Sequence, residues 1–248
     1  ACKATVKVGD GKEITLHEET NYPFEEAIAF TVSTDEKVAF PFYLRIPSWT
    51  QKAEVWVNGK KVSVTPVAGK YLCINREWAN GDRVELTLPM SLSMRTWQVN
   101  KNSVSVDYGP LTLSLKIAEK YVEKDSRETA IGDSKWQKGA DPQKWPTTEI
   151  YPDSPWNYSL VLDKKEPLKN FKVIRKSWPA DNYPFTVASV PLEVKAIGRP
   201  VPEWKIDETG LCGVLPEEDA VKGDKEEITL IPMGAARLRI SAFPNTKE

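Results

Sequence analysis

Ala53-Glu54-Val55-Trp56-Val57-Asn58-Gly59-Lys60-Lys61-Val62-Ser63-Val64 decides the fold class. Two runs of alternating apolar residues flank Asn58-Gly59, the dipeptide best suited to a two-residue type I′ turn because both central positions take positive φ. Successive strand side chains point to opposite faces. Val55 and Val57 are therefore expected on one face, with Val62 and Val64 across the ladder, and Trp56 on the other. A second turn at Ala79-Asn80-Gly81-Asp82 launches Arg83-Val84-Glu85-Leu86-Thr87-Leu88, with Val84, Leu86 and Leu88 facing one way and Arg83, Glu85 and Thr87 the other. A turn at Gly9-Asp10-Gly11 leads into Glu13 to Leu16.

Outward from these turns the same punctuation continues. Strands are expected at Ala27 to Val32, Val38 to Ile46, Val104 to Val106, Leu111 to Ile117, Tyr158 to Leu162, Phe171 to Ile174, Thr186 to Ala188, Leu192 to Ala196, Glu227 to Ile231 and Ala236 to Ser241. Nineteen prolines and nine tryptophans suit a turn-rich β protein. The sequence predicts an all-β chain, an antiparallel, jelly-roll-like β-sandwich in two units. Residues 1–118 form the first, 158–248 the second, and 119–157 an irregular excursion held by Trp136, Trp145 and Trp156.

Composition narrows the function. Lysine plus arginine (34) nearly cancels aspartate plus glutamate (35), which argues against a nucleic-acid or membrane-surface partner. No apolar run approaches the roughly 18 residues of a membrane helix. His17 is the only histidine, so two-histidine metal sites and zinc-protease motifs are excluded. Cys2, Cys73 and Cys212 are odd in number and include no C-x-x-C pair, and are expected to be free thiols, Cys73 buried. No nucleophile elbow, P-loop, dinucleotide fingerprint or calcium loop occurs. The acidic pairs Glu18-Glu19, Glu25-Glu26, Glu217-Glu218 and Glu226-Glu227 point to opposite faces if on strands, so none forms a glycosidase dyad alone. No motif reads as a complete active site, and the start at Ala1-Cys2-Lys3, without an initiator methionine, reads as a piece of something longer or as a processed mature protein.

Four aromatics are candidates for a domain interface or for glycan contact. Trp56 stands opposite the core-facing valines. Trp97 follows Met94-Arg95-Thr96. Tyr22 and Phe24 sit in the proline-bent loop Asn21-Tyr22-Pro23-Phe24.

Several segments in order carry a resemblance: Glu19-Thr20-Asn21-Tyr22-Pro23-Phe24; Leu44-Arg45-Ile46-Pro47-Ser48-Trp49 with Val55-Trp56-Val57-Asn58-Gly59; Tyr71 to Trp78 running through Gly81-Asp82 to Leu88-Pro89-Met90; Tyr108-Gly109-Pro110-Leu111; and Ile228 to Gly234. Together they resemble the region after the catalytic barrel in glycoside hydrolase family 127, the β-L-arabinofuranosidase-like enzymes. The resemblance implies an upstream (α/α)6 barrel, absent from this chain, that hydrolyses arabinofuranosides with a cysteine nucleophile in a zinc site. Cys2-Lys3-Ala4 does not match that cysteine motif, so no catalytic residue, metal ligand or cofactor is assigned here, and any zinc belongs to the missing catalytic domain. The implied function is a non-catalytic β-sandwich segment that supports the barrel, in a secreted or periplasmic parent acting on plant or microbial glycans. The alternatives are an autonomous carbohydrate-binding module and a structural or adhesion module with a protein partner.

Overall fold

The computed structural model describes residues 1–125, 141, 143–218, 220 and 222–248. The chain divides into two compact units, Ala1–Ser93 with Asp107–Leu111, and Met94–Val106 with Thr112–Glu248.

The first unit contains β1 (Cys2–Val8), β2 (Lys12–Thr20), β3 (Ala27–Ser33), β4 (Val38–Arg45), β5 (Glu54–Val57), β6 (Lys60–Lys61), β7 (Tyr71–Trp78) and β8 (Arg83–Thr87). Six of them form an antiparallel sheet in the order β1-β2-β3-β8-β5-β6, and β4 pairs with β7 in a second sheet. Strict alternation in β4 buries Val38, Phe40, Phe42 and Leu44 and exposes Ala39, Pro41, Tyr43 and Arg45. These side chains, with Leu72 and Trp78 of β7, pack on Ile14, Val32, Val55, Val57, Val84 and Leu86 of the larger sheet. Trp78 is fully buried, stacks on Phe40 with ring centres 5.6 Å apart, and donates its indole N–H to the Phe40 carbonyl at 2.9 Å. A large aromatic thus brings its polar atom into the core already paired.

The Asn58-Gly59 turn forms as expected, with φ of 50° and 72°. The second arm is shorter than the sequence suggests. The β6 ladder ends at Lys61, Val62 adds one bond from its N–H to the Val55 carbonyl at 3.1 Å, and Val64 is exposed. The register would set Val64 against Ala53, which lies before the first residue of β5.

The second unit is built on β9 (Leu92–Trp97), β10 (Ser103–Tyr108), β11 (Leu111–Leu115), β12 (Glu119–Lys124), β13 (Thr147–Pro152), β14 (Tyr158–Leu162), β15 (Lys172–Arg175), β16 (Leu192–Pro200), β17 (Glu226–Pro232) and β18 (Asn245–Lys247). Its main sheet runs β18-β14-β16-β17-β11-β10-β9, with β15 also against β16. The β14–β18 pair is parallel, whereas β16 is antiparallel to β14, β15 and β17. Every residue of β10 and β14 is buried, and β16 alternates, with Leu192, Val194 and Ala196 inward. The all-β class and the antiparallel architecture are therefore as the sequence predicts.

Two expected strands do not form. Thr186–Ser189 is a turn, closed by the Val190 N–H on the Thr186 carbonyl and by the Ser189 N–H on Thr186 Oγ1, both 3.0 Å. Residues 236–241 follow the 3-10 turn Met233–Ala235 and make one sheet-like bond, from the Leu115 N–H to the Ile240 carbonyl at 2.8 Å. Within 119–157, β12 and β13 form their own antiparallel ladder, Glu119 opposite Pro152 and Lys124 opposite Thr147. Trp156 packs edge-on against Trp204 at 5.2 Å, Trp145 is exposed, and Trp136 lies outside the described residues. Cys73 is half-buried rather than buried, and all three cysteines are free.

Candidate functional site: a groove on the outer face of the first unit

The faces of the six-stranded sheet follow from its register. Glu19 is opposite Ala29, Ala29 opposite Glu85, Glu85 opposite Trp56, and Trp56 opposite Lys61. One straight row therefore crosses five strands on the face away from the core, since residues directly opposite on paired strands share a face. Ala27 and Ala29 contribute no side chain beyond Cβ, so the sheet sinks between flanking residues. The result is a groove of about 700 Å³ lined by Trp56, Arg83, Glu85, Thr87, Glu19 and Asn21, among others.

Arg83 organises its polar side. Its Nη1 donates to Glu19 Oε2 at 2.9 Å and its Nε to Glu85 Oε1 at 3.3 Å. The hydrogen bond and charge of Arg83 hold the Glu19 carboxyl below the usual range, and the two carboxylates raise the guanidinium. A general acid for glycoside cleavage needs the opposite shift, a carboxyl kept protonated near neutrality. The arrangement suits accepting hydrogen bonds from a ligand rather than giving it a proton. Trp56 forms the other wall, with Lys61 Nζ 5.9 Å from its ring centre and Lys61 bonded to Glu54 at 2.6 Å.

Tyr22 and Phe24 sit beside this groove in different roles. Thr20 Oγ1 accepts the Tyr22 N–H at 2.9 Å and donates to the Ala27 carbonyl at 2.8 Å, while the Asn21 carbonyl accepts the Phe24 N–H at 3.0 Å. The Tyr22-Pro23 bond is cis. Phe24 is buried and anchors the loop. Tyr22 is 36% exposed, with a phenol raised by burial against the opposing charge of Arg45. The loop thereby presents Thr20, Asn21 and Glu25 to the groove.

Trp97 belongs to the second unit. It is 41% exposed, its indole N–H donates to Ser105 Oγ at 2.9 Å, and the Arg95 guanidinium lies 5.0 Å from its ring. The indole's only N–H donor is thus committed locally, to a serine that itself donates to the Ser241 carbonyl at 2.7 Å.

Arg83, Glu85 and Ala29 escape a linear reading. Their polar-face position on a strand is visible, but their meeting with Glu19 and Trp56 depends on the strand order. The exposed tyrosines Tyr43 and Tyr71 on the outer face of β4 and β7 escape it too. A zinc centre of the type expected for the catalytic barrel does not fit these residues. Cys2, Cys73 and Cys212 are free, and among the described residues no three histidine, cysteine or acidic side chains gather as metal ligands.

Comparison with known proteins bears out the resemblance over the first unit. Residues 1–90 match the family model described as beta-L-arabinofuranosidase, GH127 middle domain. No curated protein matches the chain. Among solved structures, a GH127 beta-L-arabinofuranosidase from Geobacillus stearothermophilus shares 21% identity at a TM-score of 0.60, covering 98% of this chain and 32% of that one. A second, described only as a glycoside hydrolase, shares 23% at 0.60, covering 98% and 34%. A GH127 beta-arabinofuranosidase shares 22% at 0.60, covering 98% and 33%. The fold is therefore common to all of them, and the chain spans about a third of the length of each.

Proposed function

We propose that this chain is a non-catalytic β-sandwich segment of a glycoside hydrolase, which packs against and supports an (α/α)6 catalytic barrel upstream in the same polypeptide. The observation that carries this reading is the match of residues 1–90 to a middle domain, a segment that by definition has neighbours. The lowered Glu19 carboxyl supports it, because a general acid needs the opposite shift. In this reading the arabinofuranoside chemistry, and any zinc it uses, reside in the barrel, and the parent is exported to meet its glycan.

Two measurements test it. The intact mass of the natural gene product should exceed 27.9 kDa by several barrel-sized tens of kilodaltons, with the extra sequence preceding Ala1; a mass near 27.9 kDa refutes the reading. The 248-residue chain should show no turnover of an aryl β-L-arabinofuranoside, and turnover abolished by a substitution within this chain would equally overturn it.

A further inference from the structure

We propose that the outer groove of the first unit is a binding site for an uncharged saccharide, one ring of which stacks on Trp56 while its hydroxyls bond the Glu19–Arg83–Glu85 set. The proposal rests on the glycoside hydrolase reading for the source of the sugar, but its chemistry comes from the groove.

Trp56 is held on the solvent side by β-strand alternation and stays partly exposed; Glu85 of β8 is its neighbour toward β3, and the small Ala27 and Ala29 lie one strand beyond, where the groove deepens. A partly exposed indole at the wall of a groove floored by Ala27 and Ala29 offers a flat apolar face of the kind that a sugar's C–H surface covers. The opposite wall offers fixed polar partners. The described bonds of Arg83 use two of the five N–H donors of a guanidinium, and each carboxylate it holds keeps lone pairs for further donors. Hydroxyls both donate and accept, so a polyol satisfies such a mixed wall without bringing a charge. The groove's size, about 700 Å³, falls within the roughly 300–1,000 Å³ of small-molecule sites.

Charge selects among saccharides. Glu19, Glu25 and Glu85 outnumber Arg83 along the lining, so a uronic acid, a phosphate or a nucleic acid meets net repulsion. A protein surface docked here would instead strip water from an ion-paired arginine and its two carboxylates, which costs more than it returns unless matched group by group. A neutral sugar keeps those groups hydrogen-bonded throughout.

Titration calorimetry of the 248-residue chain tests this with neutral oligosaccharides of arabinose, xylose, galactose and glucose, and with oligogalacturonate as the anionic probe. At least one neutral probe should bind and oligogalacturonate should not. Trp56→Ala should weaken binding roughly tenfold or more, the loss expected on removing one central aromatic anchor. Ala29→Leu, which fills the floor, should weaken it comparably, and Trp145→Ala, in the second unit, should leave it unchanged. Near-UV circular dichroism establishes that each variant is folded. Failure of every neutral probe to bind, preferential binding of oligogalacturonate, or unaltered affinity in both groove variants overturns the site. A large parent protein whose segment binds no sugar would refute the site alone. A parent near 27.9 kDa with sugar binding intact would refute the barrel-support reading alone.

Discussion

Asp82 ties together the two turns that mark the first unit, and its removal gives a defined loss. The residue is 8% exposed. Its Oδ1 accepts from Asn58 Nδ2 at 2.7 Å and its Oδ2 from the Ala79 N–H at 2.9 Å, with Arg76 Nη2 at 3.4 Å. Asn58 in turn accepts the Arg83 N–H at 2.8 Å through Oδ1, so the Asn58-Gly59 turn is pinned to the start of β8. A hydrogen bond to a charged group contributes about 1.5–3 kcal/mol. Asp82→Ala deletes two of these; partial rehydration of the freed donors offsets part of the loss, and the half-exposed Arg76 adds little. The expected cost is about 2–4 kcal/mol. Asp82→Asn, which keeps one acceptor but sets a donor against a donor, should cost about 1–2 kcal/mol. Burial acts to raise the Asp82 carboxyl, but the Ala79 amide, Asn58 and Arg76 together hold it below its ordinary value. A depressed folded value means that the stabilisation is complete above the unfolded value, about 3.9, and lost as pH falls through the folded one. Urea unfolding followed by circular dichroism at pH 7, 5, 4 and 3 reads both effects. The gap between the unmutated chain and Asp82→Ala should be constant from pH 7 to 5 and close below about pH 4. A gap under about 0.5 kcal/mol at pH 7, or one that persists undiminished to the lowest pH at which the chain folds, refutes the reasoning.

Trp78→Ala should cost about 3–5 kcal/mol in the same assay, the range for emptying a buried aromatic site, and Trp78→Phe less, with the indole's bond to the Phe40 carbonyl lost. Gly109 has φ of +55°, and an added Cβ would lie 2.6 Å from Met90 Cγ, so Gly109→Ala should lose about 2–3 kcal/mol, measured as a lower urea midpoint. Glu193 Oε1 accepts from Lys116 at 2.7 Å and Lys176 at 2.9 Å; burial works to raise its carboxyl, but the two ammonium groups bring it below the ordinary value. Glu193→Gln should therefore cost about 1–2 kcal/mol at pH 7 after allowance for solvent at the lysines, and the difference should vanish as pH falls below about 4.

Local chemistry made part of this architecture legible. Asn58 and Gly59 specify their turn through their own backbone preferences, and the alternation in β4, β5 and β8 states which side chains are buried. The strands that went unread are those without an apolar face. β1 is exposed along almost its whole length, β12 is mostly charged and β13 mixes polar with half-buried apolar residues, so their ladders rest on backbone bonds that composition does not announce. In β7 the inward Leu72 and Trp78 are separated by Asn75-Arg76-Glu77, which breaks the pattern. For the site, Trp56 and the Asn21 loop were visible one at a time. Their convergence was not, because Glu19, Ala29, Glu85 and Trp56 become neighbours only through the order β2-β3-β8-β5, set by long-range pairing rather than by any segment.

The pairing of β14 with β18 bears on how fast this chain reaches its native state. Leu160 meets Asn245 there, and Val104 bridges Phe243, so the main sheet of the second unit closes only when segments remote in sequence find each other. In the first unit β1, β2 and β3 pair in succession as adjacent hairpins. Because the entropy of closing a long loop is spent before the contact rewards it, the second unit should be the slower, in the millisecond-to-second range typical of non-local β topologies. During that interval the outer edge of β14 has no partner strand and can template another molecule. Protein concentration during refolding, more than the choice of solvent, should then govern the yield of native chain.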